Sequence, residues 1–356
     1  MRRPACRLLL ALMFAVAQSG CAATHKPKPP AKAAEPSAAS YASRQDVRDF
    51  AAEVAERREL PKDWVLAQLA QARRQPSAQR LMMPPPAGTA KNWAAYHDRF
   101  VEPQRIGAGV RFWQDNAQWL ARAEQRYGVP AEIIVGIVGV ETFYGRITGN
   151  YRVLDVLATL AFDFPSGRSD RSAFFRGELE EFLVLSRREG LDATRPKGSF
   201  AGAMGLPQFM PGSFNRYAVD FDGDGHTDLN DSAADVIGSV ASFLAAHGWQ
   251  RGMPIVYQVA VPVDTRARAT LLAPDILPSF DAARMAELGA ELDADGRRHD
   301  GLLALVELQN GGDAPSYVAG TRNFYVLTRY NQSSYYAMAV ITLGEAVKQQ
   351  LRTALD

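Results

Sequence analysis

The chain has 356 residues, 47% of them hydrophobic, enough to bury a large core in one domain or two unequal ones. Forty basic residues stand against thirty-nine acidic ones, a formal net charge of +1, and so even a balance gives no general argument for nucleic acid or an anionic membrane surface as partner. The five histidines show no His-x-x-x-His spacing and no Gly-x-Ser-x-Gly elbow occurs, which argues against a zinc or serine hydrolase.

Residues 1–20 read as a secretory signal. Arg2, Arg3 and Arg7 form a basic start, Leu8 to Ala17 an apolar run too short to span a bilayer, and Ser19-Gly20 a small-residue processing site. Cys21 follows at the position a bacterial lipobox reserves for the lipidated cysteine, with Gln18 departing from the usual aliphatic residue. Cys6 leaves with the signal, so Cys21 is the one cysteine of the expected mature chain and no intrachain disulfide is available. The expected address is the periplasmic face of the outer membrane, held through a lipid anchor alone. Residues 21–43 are rich in Ala, Pro, Lys and Ser and predict an extended tether.

From Asp46 to about Trp249 the apolar spacing is helical, with a break at Pro84-Pro85-Pro86. Alternating, β-rich stretches follow at Ile255–Val261, Leu302–Leu308 and Phe324–Tyr330, with a short helix predicted over Ala282–Leu288 and a final helix over about Tyr336–Leu351. The division expected is a helical body over 44–253 and 321–356, with a small β-containing subdomain over 254–320.

The sharpest chemical feature is the helix predicted from Pro130, which suits a first turn, through Glu141. Ile134, Ile137, Val138 and Glu141 recur at i, i+3, i+4 and i+7, placing a carboxylate on the inward face and near the negative helix end. Both effects favour the protonated carboxyl that protonating a glycosidic oxygen requires. On pattern alone, a Glu closing the helix end or pairing with Arg146 fits equally well. A glycine-rich stretch, Lys197 to Pro211, brings backbone close to a ligand and offers Ser199 and Gln208 as hydrogen-bonding groups; a merely tight loop is the alternative.

Asp220 to Asp231 follows the calcium-loop pattern, with Asp220, Asp222, Asp224, Asp228 and Asp231 at positions 1, 3, 5, 9 and 12, Gly225 at 6 and His226 at 7. Asp rather than Glu closes it, and Asp235 is an alternative last ligand. The cation expected there is structural, and no catalytic cofactor is expected. Aromatic residues at Asn323-Phe324-Tyr325, Arg329-Tyr330-Asn331 and Tyr335-Tyr336, with Trp93, Tyr96, Phe112 and Trp113, supply candidate sugar-stacking faces, most of them ordinary core.

Taken together, GVETFYG, GSFAGAMG followed by QFMP, the Asp-rich loop and NFYVLTRYN resemble the lytic murein transglycosylases of the membrane-bound B type, over residues 44 to 350. That resemblance implies a mainly α, lysozyme-like catalytic domain with a small β-containing insertion and an EF-hand-like calcium loop. It implies that Glu141 is the catalytic acid/base, and that Tyr96, Arg171, Ser199, Gln208, Tyr330, Asn331 and Tyr336 line the glycan- and peptide-binding groove. The Ser166–Arg171 loop is longer here, and Leu206-Pro207 stands where relatives often have Tyr-Gly. The activity implied is cleavage of the β-1,4 bond between N-acetylmuramic acid and N-acetylglucosamine, leaving 1,6-anhydromuramic acid, by a monomer whose partner is the peptidoglycan strand. The rivals are a lysozyme-type hydrolase and a non-catalytic wall-binding lipoprotein.

Overall fold

The structure is a computed structural model that describes residues 40–84 and 90–354; the signal, Cys21 and most of the tether lie outside the described residues. The folded body begins slightly ahead of the expected boundary at 44, because Tyr41 is buried and its hydroxyl donates to Asp163 at 2.6 Å. Arg44 pairs with the same carboxylate at 2.7 Å. An aromatic ring among small and charged residues, easily overlooked within a tether, fixes where the chain enters the fold.

Two helical cores follow. The first unites α1 (Gln45–Arg58), α2 (Lys62–Ala70) and α3 (Pro76–Leu81) with α8 (Val153–Phe162) and α9 (Ser172–Arg188). Val47, Phe50, Ala51 and Val54 recur at helical spacing and meet Leu154, Leu157 and Phe182 in one apolar cluster. The second gathers α4 (Trp93–Phe100), α5 (Pro103–Asp115), α6 (Ala117–Tyr127), α7 (Ala131–Thr142), α11 (Ala233–Ala246), α14 (Arg322–Tyr330) and α15 (Ser334–Thr353). Between the cores run a two-stranded ribbon, β1 (Tyr151–Arg152) with β2 (Lys197–Gly198), and α10 (Pro211–Tyr217).

α7 is the centre of the second core and is the apolar helix expected. Ile133, Ile134, Val135, Ile137, Val138 and Val140 are all buried, as in a helix apolar around its whole circumference. Its closest neighbour is α15. A side chain at Gly136 would sit 2.2 Å from the Val340 carbonyl and one at Gly344 would sit 2.1 Å from that of Glu132, so the two glycines let these helices cross almost backbone to backbone.

A four-stranded antiparallel sheet of order β4-β3-β6-β5 occupies the later part of the chain: β3 (Val256–Ala260), β4 (Glu291–Leu292), β5 (Ala304–Asn310) and β6 (Asp313–Gly320). The period-2 alternation divides its side chains. Ala304, Val306, Leu308 and Val318 join the second helical core, while Tyr257, Leu303, Leu305 and Ala319 build a third cluster with Leu271 of α12 (Thr265–Leu272) and Met285 of α13 (Ala282–Glu287).

One expected strand is a helix. Phe324–Tyr330, rich in aromatic and β-branched residues, lies within α14. Thr321 accepts the Asn323 N–H at 3.1 Å and so caps its start, while Phe324 and Leu327 face the core three residues apart. That cap and the i, i+3 pair are stronger signals than strand propensity.

Candidate active site

Glu141 is the penultimate residue of α7, at the helix end where unpaired carbonyls make the local potential negative. Burial pushes its carboxyl up to about 7, and the Tyr336 hydroxyl beside it draws it back only in part. Among the described residues no carboxylate contributes to that shift. Arg146 does not pair with it; the guanidinium lies 4.6 Å over the Phe143 ring instead. Glu141 is mostly buried but keeps some exposure to solvent. A partly accessible acid that holds its proton near neutral pH is equipped to protonate a leaving oxygen.

Three tyrosines surround it. Burial and the Glu141 carboxylate together raise the pKa of Tyr96 from α4, of Tyr330 at the end of α14 and of Tyr336 in the first turn of α15. Tyr330 and Tyr336 stack, with centroids 6.2 Å apart and planes 15° from parallel. The Tyr330 hydroxyl donates to the Pro207 carbonyl at 2.6 Å, whereas that of Tyr336 is buried without a full hydrogen-bond partner. Tyr96 packs against Trp93, Phe100 and Tyr335.

The glycine-rich segment forms a tight loop after β2 that leans on the end of α7. Thr142 donates to the Leu206 carbonyl at 2.9 Å. Gln208 holds a left-handed backbone (φ 52°), which its side-chain amide supports by donating to Gly205 O at 2.8 Å and Thr148 O at 3.1 Å. Its Oε1 and the Oδ1 of Asn331 are buried and unpartnered. Buried polar atoms are rarely left so.

Two expected groove residues are disposed differently. Ser199 is 1% exposed, and its Oγ accepts the N–H groups of Ala201 and Ala203, so it holds the loop's shape. Arg171, ahead of α9, lies 4.5 Å over Phe174, buried but with Nε and Nη1 unpartnered. Phe112 is core, packed 5.3 Å from Tyr144. The next two acids along the chain are already engaged: Asp155 accepts the Arg73 N–H and pairs with Arg152, and Asp163 is held by Tyr41 and Arg44. Thr142 and the Leu206 and Pro207 carbonyls were not legible as site groups, since backbone acceptors leave no residue-type signature.

In the acidic loop, carboxylate oxygens of Asp220, Asp222 and Asp235 lie within 4.8 Å of one another. Oxygens that share a calcium ion at 2.3–2.6 Å fall within about 5 Å of each other, so this trio fits a cation of that size. Asp235 supplies the third oxygen, not Asp231. Asp220 also accepts the N–H groups of Gly223, Asp224 and Gly225, Asp224 accepts that of His226, and Asp228 those of Asn230 and Asp231; Asp220 and Asp222 are exposed and Asp235 is buried.

A transglycosylase SLT domain family matches residues 42–345. The membrane-bound lytic murein transglycosylase B of Escherichia coli (strain K12) is 44% identical over 287 residues, 78% of this chain and 76% of that protein. The soluble lytic transglycosylase SltB1 from Pseudomonas aeruginosa superposes with a TM-score of 0.77 at 41% identity, over 86% of this chain and 99% of that one. The Escherichia coli lytic transglycosylase Slt35, solved in complex with calcium, does so with a TM-score of 0.73 at 39% identity, over 86% and 93%. The mainly helical fold with small antiparallel sheets is the fold of these enzymes, and the chain belongs to the transglycosylase SLT family as a lytic transglycosylase acting on peptidoglycan.

Proposed function

We propose that Glu141 is the single acid/base of the reaction and that the substrate supplies its own nucleophile. Glu141 gives its proton to the glycosidic oxygen between N-acetylmuramic acid and N-acetylglucosamine, and the C1–O bond breaks. The resulting carboxylate takes the proton of the muramoyl 6-hydroxyl as that oxygen bonds to C1, closing a 1,6-anhydro ring and restoring the acid. The observation that carries this reading is a carboxyl raised to about 7 with no second carboxylate among the described residues acting on it. A hydrolytic glycosidase ordinarily pairs two, one to protonate and one to activate water or attack the sugar. Cleavage of purified cell wall in ¹⁸O-water should therefore give muropeptides ending in 1,6-anhydromuramic acid without solvent label. Reducing ends carrying ¹⁸O as the main product would replace this mechanism with hydrolysis.

Around the acid, Tyr96, Gln208, Tyr330, Asn331 and Tyr336 would hold the glycan, with the unpartnered Asn331 and Gln208 oxygens suited to an acetamido N–H or a hydroxyl. The buried, unpaired Arg171 guanidinium suits a stem-peptide carboxylate, and Ser199 acts through the loop. We read the helices as a lysozyme-like catalytic body and residues 254–320 as its small β-containing subdomain. A divalent cation, calcium by the oxygen-only donor set, would sit among Asp220, Asp222 and Asp235 in a structural role.

The N-terminal reading is a cleaved signal, a lipidated Cys21 and a tether holding the enzyme at the periplasmic face of the outer membrane. Its support is the cysteine's position and the membrane-bound relative. Cys21→Ala should move the enzyme from the membrane to the soluble periplasmic fraction with activity retained. Unmutated protein found soluble would remove the anchor.

A further inference from the structure

Thr142 follows Glu141, closes α7 and is fully buried. Its hydroxyl has one proton. The better acceptor is the Leu206 carbonyl at 2.9 Å rather than Val138 O at 3.4 Å, and the same oxygen accepts the Gly145 N–H at 3.1 Å. The hydroxyl thus joins the helix end to the glycine-rich loop in front and to the turn behind.

Backbone bonds close the helix here, with the Phe143 N–H donating to Gly139 O at 3.1 Å and the Tyr144 N–H to Val138 O at 3.3 Å, and the Thr142 hydroxyl is the side-chain tie that carries this end on to the loops. Immediately after Thr142 the backbone is left-handed at two side-chain-bearing residues, Phe143 (φ 53°) and Tyr144 (φ 55°), each costing about 1 kcal/mol. Phe143 is kept there by Arg105, which lies 4.5 Å over its ring and donates to Gly139 O at 2.9 Å.

Leu206 has a second tie. Its N–H donates at 2.8 Å to the carbonyl of Leu229, a residue inside the acidic loop. A side chain on Gly205 would stand 2.4 Å from that same carbonyl, so the two loops interlock at backbone distance. Next to Leu229, the Asp228 N–H donates to Asp235 at 2.7 Å, and Asp235 belongs to the carboxylate trio. A continuous hydrogen-bonded route therefore runs from Asp235 through Asp228 and Leu229 to Leu206, then to Thr142 and its neighbour Glu141.

We propose that Thr142 is a positioning residue for Glu141 and that Leu206 links it to the acidic loop, so that a bound divalent cation tightens the catalytic end of α7 as well as stabilising the fold. This rests on reading Glu141 as the acid and the trio as a cation site. Three carboxylates this close repel one another without a cation, and the loop they belong to carries the carbonyl that anchors Leu206.

The test compares full-length enzyme, Thr142→Val and Thr142→Ser, each calcium-replete and chelated. In the unmutated chain, chelation should lower the melting temperature, cut kcat about tenfold with KM little changed, and speed exchange of the Leu206 amide about tenfold. Thr142→Val should start about tenfold down in kcat and lose little more on chelation, yet keep its calcium-dependent gain in melting temperature. Its alkaline limb of kcat should move to lower pH by about one unit as the loosened carboxyl gains water. Thr142→Ser should restore the unmutated behaviour.

A Thr142→Val enzyme whose kcat still responds fully to calcium, an alkaline limb that does not move, or a Leu206 amide indifferent to chelation overturns the proposal. Because Glu141→Gln tests the acid separately, failure of the coupling leaves that assignment standing.

Discussion

Glu141→Gln should fold, lose turnover by about 10³-fold on purified cell wall, and outlast its parent in denaturant above neutral pH. The first effect follows from removing the acid proposed to protonate the leaving oxygen; the second follows from the sign of the pKa shift. The ordinary glutamate value is 4.5 and the folded value is about 7, so across that window the folded chain holds a proton that the unfolded chain has released. Stability from this group is complete below pH 4.5 and is lost as pH climbs through 7. Glutamine does not ionise and escapes the loss. Taken whole, the shift is worth about 3 kcal/mol, and screening at the carboxyl's open edge brings that to about 2 kcal/mol. Urea unfolding at pH 4 and pH 8 checks it: the variant should match the parent at pH 4 and exceed it at pH 8. Equal stabilities at both, or turnover above a few per cent of the parent's, would move the acid elsewhere.

What was legible in the sequence depended on whether the signal was carried by side-chain type or by contact. Glu141 near the end of an apolar helix, the glycine run before Gln208 and the acidic spacing are patterns of residue type, and each lies in an element of the kind expected. In α7 a 3.6-residue period and burial on every side both produce apolar residues at i, i+3 and i+4, and the meaning of Gly136 and Gly344 appears only once α15 lies across α7. α14 misled because its aromatic and β-branched residues favour strands, whereas Thr321 capping its first turn is what the fold obeys. Ser199 is a candidate ligand group by type, and its part in shaping the loop, accepting two loop amides, is visible only in the fold. The links through Leu206, Pro207 and Leu229 are backbone atoms, which no sequence pattern can mark.

The acidic loop carries the other large effect. A site of this kind usually ends in a Glu long enough to reach the ion with both oxygens. Here position 12 is Asp231, whose shorter side chain lies outside the close trio, while Asp235 in the first turn of α11 takes the inward place. Asp235 is almost fully buried, and its oxygens accept the N–H groups of Phe221 and Asp228 at 2.7 Å each, so both ends of the loop are already gathered onto it. Burial pushes its carboxyl up, and Asp220 and Asp222 push the same way, the penalty a divalent cation would relieve. Calcium at a thousand times its dissociation constant should therefore add about 4 kcal/mol to unfolding, a rise of several degrees in melting temperature. Asp235→Asn, which removes the charge and puts an NH2 group in place of one of the two accepting oxygens, should erase most of that increment; Asp231→Asn should keep it. Retention of the increment in Asp235→Asn, with its loss in Asp231→Asn, would return the closing ligand to position 12 and mean that calcium draws the loop into a different set of oxygens from the one gathered here.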